Sequence, residues 1–360
     1  MSADIGARVG SLIPPGQQGR VADAVGIPAD AMSRGVRGQR SFSAVELVRI
    51  AEHLGAEVHW LITGEPDPHR VTVVARHDYD PSTGNRTIPG HSDDRDVLND
   101  IALAYRQAAT MSLPKCKPPT DVADTRAQLG PDFVQTLLED VEKTFGINMI
   151  RVAELSTAYG FTVGDNAIIA IPASGNWFRE NWDIAHELGH FAYGHTDTGL
   201  SEETRNLHEW AANGFAAELL MPAERVHVQD WASMTAGELA ALVWDFGVST
   251  AAVGHRLDSL QIPASPVVEE WRTKPTQRLL RRHWRPAVPG DPITARMDAA
   301  ALRRFPPAIQ DAHLELIAQG QLRKATLAWM LGVSADALEV DQPAAPESIS
   351  SSELMTALGI

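Results

Sequence analysis

At 360 residues the chain is too long for one ordinary hydrophobic core, so two or three domains are expected, and its 44% hydrophobic and 21% charged content is that of a soluble globular protein. No apolar run approaches the ~18 residues of a membrane helix, the opening MSADIGARVG lacks the basic start and apolar core of a secretory signal, and a lone Cys116 excludes an internal disulfide framework. A reducing cytoplasm without membrane contact is the expected setting, and a net charge of −15 argues against a chain that coats nucleic acid along its whole length.

Residues 5–64 read as a run of short helices. Val21, Ala22, Val25 and Ile27 form one apolar face, punctuated by Gly26; Val45, Leu47, Val48, Ile50, Ala51 and Leu54 form another, closed by Gly55. Pro66 and Pro68 mark a boundary. RVTVVAR (70–76) alternates and PSTGN (81–85) carries turn residues, so a small hairpin is expected. With one further helix near 94–110, residues 66–120 read as a linker. Cys116 sits there, in LPKCKPP, as a loop thiol rather than a nucleophile.

A second domain is expected from residue 121 to 265. Phe133, Leu137, Leu138, Val141 and Phe145 recur at helical spacing, followed by strand-like runs at 147–152, 161–163 and 167–171. Helices around 181–195 and 203–220 come next, Pro222 ending the second. Residues 266–342 open with proline and basic residues and return to helix; 343–360 have the composition of a flexible tail. FGVSTAAVGHRL (from 246) and LGVSADALEV (331–340) read as turns between helices and, being poor in basic residues, as packing elements. The run Arg272, Lys274, Arg278, Arg281, Arg282, Arg285 has no acid among it and is flanked by Trp271 and Trp284. It suits a polyanion, the acidic remainder of the chain, or a solvated connecting helix.

The string IAHELGHF contains His-Glu-x-x-His. On a helix, four residues advance ~400°, so His186 and His190 share one face, about 6 Å apart, as two imidazoles on one tetrahedral zinc require. Glu187 is offset by one residue, close to the metal but off the coordinating direction, where a general base takes a proton from water. A third ligand is expected on the next helix. Glu209 shares a face with Ala212, Asn213 and Ala216, small residues that allow close helix approach; Glu218 falls about half a turn away, and Glu203 belongs to the acidic helix start. His208 is a further option. Gly189 permits close backbone approach, and His195 is assigned a structural or supporting position.

AHELGH, followed by Glu209-x-x-Ala212-Asn213-x-Phe215-Ala216 and ELLMP (218–222), resembles the ImmA/IrrE metallopeptidase family, and the likeness extends over about residues 121–265. It implies an α+β zincin-like domain with a small sheet, Zn2+ held by His186, His190 and Glu209, Glu187 as catalytic base, and a regulatory protein such as a repressor or antitoxin as substrate. Ala211 stands where the family often has an acid.

Residues 1–65 are similar to a lambda-repressor-like (XRE family) helix-turn-helix domain through Gln18-x-x-Val21-Ala22-x-x-Val25-Gly26-Ile27, Met32-Ser33-Arg34, Gly38 and Ile50-Ala51-x-x-Leu54-Gly55. Residues 31–45 hold three arginines and no acid. Ala29, Asp30, Ser33 and Arg34 would then face base edges, Gln18 would anchor the backbone, and Arg37 and Arg40 would meet phosphates. Arg34 has the fork that reads guanine O6 and N7.

The chain is therefore expected to be multidomain and mostly α: an all-α helix-turn-helix at 1–65 on operator-type double-stranded DNA, the linker at 66–120, the zinc endopeptidase domain at 121–265, a helical C-terminal region at 266–342 and the tail. A homodimer is left open. The rival expectations are a transcription factor whose zinc is structural or sensory, and a toxin–antitoxin or phage-lysogeny component. Tyr193 and His208 are both open as the oxyanion-stabilising side chain.

Overall fold

The computed structural model describes residues 2–65, 72–75, 78–79, 86–87, 91–195, 201–286 and 290–343. They fall into two compact units, Met1–Arg70 and Val71–Ile360.

The first unit is five helices: α1 (Ser2–Leu12), α2 (Gln18–Ala24), α3 (Ala29–Val36), α4 (Ala44–Leu54) and α5 (Val58–Thr63). Their core is Val9, Val21, Ala22, Val25, Ile27, Met32, Leu47, Ile50, Ala51 and Leu61. Gly26 makes the turn out of α2 in the left-handed region (φ 67°), which spares the chain the steric cost a Cβ would impose. Ser43 and Glu46 form a reciprocal capping box at the start of α4. Val45 and Val48, read above into the apolar face of this helix, are 60% and 41% exposed. Leu47, Ile50, Ala51 and Leu54 already fill the i, i+3, i+4, i+7 stripe, which leaves those two valines outside it.

The second unit contains β1 (Thr72–Ala75), β2 (Asp78–Tyr79), β3 (Arg86–Thr87), α6 (His91–Gln107), α7 (Val122–Leu129), α8 (Leu137–Phe145), β4 (Asn148–Val152), β5 (Tyr159–Val163), β6 (Asn166–Pro172), α9 (Trp177–Ala192) and α10 (Glu202–Leu220). It continues through α11 (Ala223–His227), α12 (Ala236–Phe246), α13 (Thr250–Leu260), α14 (Pro266–Trp271), α15 (Thr276–His283), α16 (Pro292–Ala301), α17 (Pro307–Ala318) and α18 (Ala325–Leu331). A four-stranded sheet in the order β1-β5-β6-β4 pairs antiparallel except between β4 and β6, which run parallel. Both sheet faces are covered, which is why its strands read as continuous apolar runs. Met149, Ile169 and Ile171 face a core shared with α8, α9 and α10; Ile150, Val152, Phe161 and Ile168 face Leu98 and Ile101 of α6 and Ile309 and Leu316 of α17. The result is mostly helical with a small sheet, as the sequence implied. No single helix among the described residues is long and apolar enough to cross a membrane.

Three boundaries differ from the sequence reading. Residues 66–120, read as a linker, supply β1 to the sheet and α6 to its outer face. The expected hairpin around 81–85 is present as the two-residue strands β2 and β3, paired antiparallel, but RVTVVAR is not one of its arms: β1 pairs with β5 instead. Its turn residues 81–85 lie outside the described residues, as do 344–360 of the tail. The C-terminal region is part of the same compact unit, since Val268, Trp271, Leu279, Leu280 and Ile293 lie in one core with Ile184 and Leu188 of α9. Burial of these side chains against the α9 layer, rather than a core of their own, explains why.

Candidate metal centre

Helix α9 begins where the Asn176 side chain accepts a hydrogen bond from the Arg179 backbone N–H and runs to Ala192 with one face wholly buried. That burial encloses polar groups: His186, Glu187 and His190 are all at most 3% exposed. Helix α10 begins at the Ser201 cap, with Glu202 and Glu203 in the first turn where carboxylates suit the helix dipole. The two helices pack closely because Gly189 lies against Phe215; a Cβ on Gly189 would come 3.0 Å from the Phe215 Cβ.

This approach brings Glu209 to the two histidines. The His186 and His190 Nε2 atoms are 3.1 Å apart, and Glu209 oxygens lie 3.4 Å from the first and 3.5 Å from the second. Among the described residues, these three form the group whose donor atoms converge within 4.8 Å. Three ligand atoms each at 2.0–2.2 Å from one tetrahedral ion stand about 3.3 Å apart. The observed triangle is that size, and two imidazoles with one carboxylate are a donor set that zinc accepts. Burial would raise the Glu209 carboxyl, but hydrogen bonds from His186 and His190 outweigh it and hold it well below the usual carboxylate range.

Each histidine is also held from behind. His186 Nδ1 lies 3.1 Å from Asn213 Oδ1, so with Nε2 turned to the centre the Nδ1–H donates to the amide oxygen. His190 Nδ1 lies 3.2 Å from His195 Nδ1, where the same logic makes His190 the donor and His195 the acceptor. The His195 ring stacks on His208 at 3.7 Å and 3°. Burial, then the neighbouring His208 and His190, push His195 down to about 4, which keeps it a neutral acceptor. Asn213 was legible in the sequence only as a small residue on the Glu209 face; its contact with His186 was not.

The Glu187 carboxylate lies against Gly160 of β5. A Cβ on Gly160 of β5 would lie 2.7 Å from Glu187 Oε2, so the missing side chain there is the room in which the carboxylate sits. The alternatives for the third ligand are elsewhere. Glu218 is ion-paired with Arg256 and accepts the Ala223 N–H, and Glu203 is exposed at the start of α10. Tyr193 caps α9, edge-on to Phe215 with ring centroids 5.7 Å apart.

The residues read as DNA contacts are placed on the first unit. Ala29, Asp30 and Arg34 are exposed on α3, Ser33 is half-buried beside them, and Gln18 is half-buried at the first position of α2. Arg34 pairs with Asp30 at 2.9 Å, and Arg37 donates to Ser33 Oγ at 3.0 Å. Arg40 is used internally: it pairs with Glu46 of the capping box at 2.5 Å and donates to the Ala31 carbonyl. In the basic run of the second unit, Arg272 is paired with Asp258 and Glu269, Lys274 with Glu270 and Arg281 with Asp291, while Leu279 and Leu280 bury the inner face of α15.

Residues 143–258 match the family model Peptidase_M78, described as the IrrE N-terminal-like domain. The matched segment runs from the end of α8 into α13 and contains the whole donor triangle, which supports a metallopeptidase domain of the ImmA/IrrE type. No curated protein matches the chain.

Proposed function

We propose that the second unit is a zinc-dependent endopeptidase and that the first unit carries it to double-stranded DNA, the substrate being a regulatory protein such as a repressor or antitoxin. The observation that carries the enzymatic half is the buried triangle of His186, His190 and Glu209, with Glu187 one residue along the same helix. Bound zinc supplies Lewis acidity, acidifying water and polarising the carbonyl of the bond to be cut. Glu187 takes the proton from water on its carboxylate and delivers it to the departing amine. Asn213 and His195 fix the two imidazole rings so that Nε2 of each faces inward. Three protein donors, the number that converge among the described residues, would hold zinc in its catalytic rather than its structural role. The exposed Ala29, Asp30 and Arg34 on α3 support the DNA-binding half.

Glu187→Gln separates metal binding from chemistry. The variant should hold one zinc per chain by metal analysis while cleavage of library peptides falls by at least ~100-fold. Full cleavage in this variant would remove Glu187 from the role of base, and regulation that survives the substitution unaltered would remove the peptidase reading in favour of a structural or sensory metal.

A further inference from the structure

Between α9, α10 and α13 lies a cavity of about 820 Å³, within the roughly 300–1,000 Å³ of ligand pockets. Phe178, Trp182 and Trp210 give it aromatic surface; Gly214, Ala217 and Ala252 keep it open. Gly214 is the informative one. Glycine is among the poorest helix formers, and a glycine inside α10 calls for a packing reason. Here none is found: an added Cβ would meet nothing within 4 Å, so this stretch of α10 faces open space at the cavity wall.

The cavity lies on the seam that holds the metal ligands. Asn213, which steadies His186, is part of its wall. Trp182 is one helical turn before His186 on α9, and Trp210 directly follows Glu209. The two lining arginines are met by protein partners, Arg179 by Asp183 at 3.3 Å and Arg256 by Glu218 and the Met221 carbonyl, which leaves His255 and the uncharged polar groups of Asn176, Ser249 and Ser259 beside the aromatic surface. What the cavity offers an incoming group is therefore aromatic and apolar contact rather than a charge to neutralise.

We propose that this cavity receives a bulky aromatic side chain of the polypeptide substrate, next to the bond that is cut. The proposal rests on the peptidase reading and names a substrate preference for it.

The test uses the zinc-loaded full chain and two substitutions that fill the space, Gly214→Phe and Ala252→Trp, each checked for zinc content and thermal melting. A peptide library digested by the wild type should yield products enriched in Phe, Tyr or Trp at one position flanking the cut. The ratio of kcat/KM for an aromatic peptide to that for its alanine counterpart should fall at least tenfold in either variant. Saturation-transfer NMR with N-acetyl-phenylalaninamide reads occupancy without cleavage, and its signal should vanish in the filled variants. Cleavage without aromatic preference, or a preference that survives both fillings, overturns the pocket and leaves the peptidase standing. Failure of the wild type to cut any peptide overturns the peptidase and, with it, the substrate role of the cavity, even where the probe binds.

Discussion

Gly160→Ala tests the role of Glu187 without touching a metal ligand. Gly160 is held on both sides in the sheet, opposite Val74 of β1 and Ile169 of β6, so its backbone has little freedom to retreat. The new methyl would be 2.7 Å from Glu187 Oε2, whereas ordinary contact begins near 3.4 Å. The carboxylate, at the end of a flexible side chain, is the part that yields, by about 0.7 Å. Misplacing a reacting group by about 1 Å costs on the order of 100-fold in rate, so a loss of roughly 20- to 100-fold in kcat/KM is expected. The added carbon in a packed site should cost about 1–3 kcal/mol of stability.

The assay is cleavage of a library-selected peptide by wild type and variant, each at one zinc per chain, with Glu187→Gln as the floor. Metal stoichiometry should be unchanged, because the atoms nearest the new methyl belong to Glu187 and Phe191 rather than to the three ligands. Unchanged kcat/KM in the zinc-loaded variant would refute the assignment of Glu187 as the proton carrier. Loss of zinc would refute the separation of the carboxylate from the ligand triangle.

Other predictions follow from the same geometry. His195→Ala removes the acceptor behind His190 and should weaken zinc affinity about 10- to 100-fold, read by competition with a chelating dye, while Glu187→Gln leaves affinity unaltered. His313 is fully buried and donates from Nε2 to the Ala104 carbonyl; burial holds its pKa below the ordinary histidine value. Its contribution to stability is thus complete above an unfolded pKa of about 6.5 and is lost as pH falls below that value, since only the unfolded chain then takes up the proton. Comparing melting temperatures of wild type and His313→Gln at about pH 7.5 and about pH 5.5, the wild type should lose more on acidification; equal losses would exclude His313 as a contributor. In the first unit, Arg34→Ala should weaken specific DNA binding by about 1–3 kcal/mol with no change in melting. Arg40→Ala should instead lower the melting temperature, because its guanidinium ties Ala31 to the α4 capping box.

The parts of the fold legible in the sequence are those set by local periodicity. The strands at 148–152, 159–163 and 166–172 are apolar because both faces are covered, and α9 and α10 were legible as helices, although α9 begins four residues earlier than expected, at the Asn176 cap, and ends at Ala192. Non-local pairing was not legible. RVTVVAR alternates and precedes turn residues, which is the local signature of a hairpin; the free edge of β5, nearly ninety residues on, takes the strand instead. The C-terminal helices misled for a related reason. Their apolar faces are ordinary, and nothing local says that they share a core with α9.

The two histidines were legible because they need only a four-residue spacing on one helix face, and Glu209 from the small residues beside it on the next helix, but the supports of all three depend on where helices end and which backbones approach. His195 shows the first. Continued helically it would turn away from His190, yet α9 stops at Ala192, Gly194 takes φ 65°, and the chain folds back so that the His195 N–H reaches the His190 carbonyl at 2.9 Å. The glycines show the second. Gly160, Gly189 and Gly214 are indistinguishable as letters, but a Cβ would strike the Glu187 carboxylate at the first and Phe215 at the second, and at the third would meet nothing within 4 Å. One clears space for a side chain, one admits a helix, and one leaves a cavity unfilled. Such assignments require the neighbour's coordinates, and that is why the donor residues could be read from two helical segments while their surroundings could not.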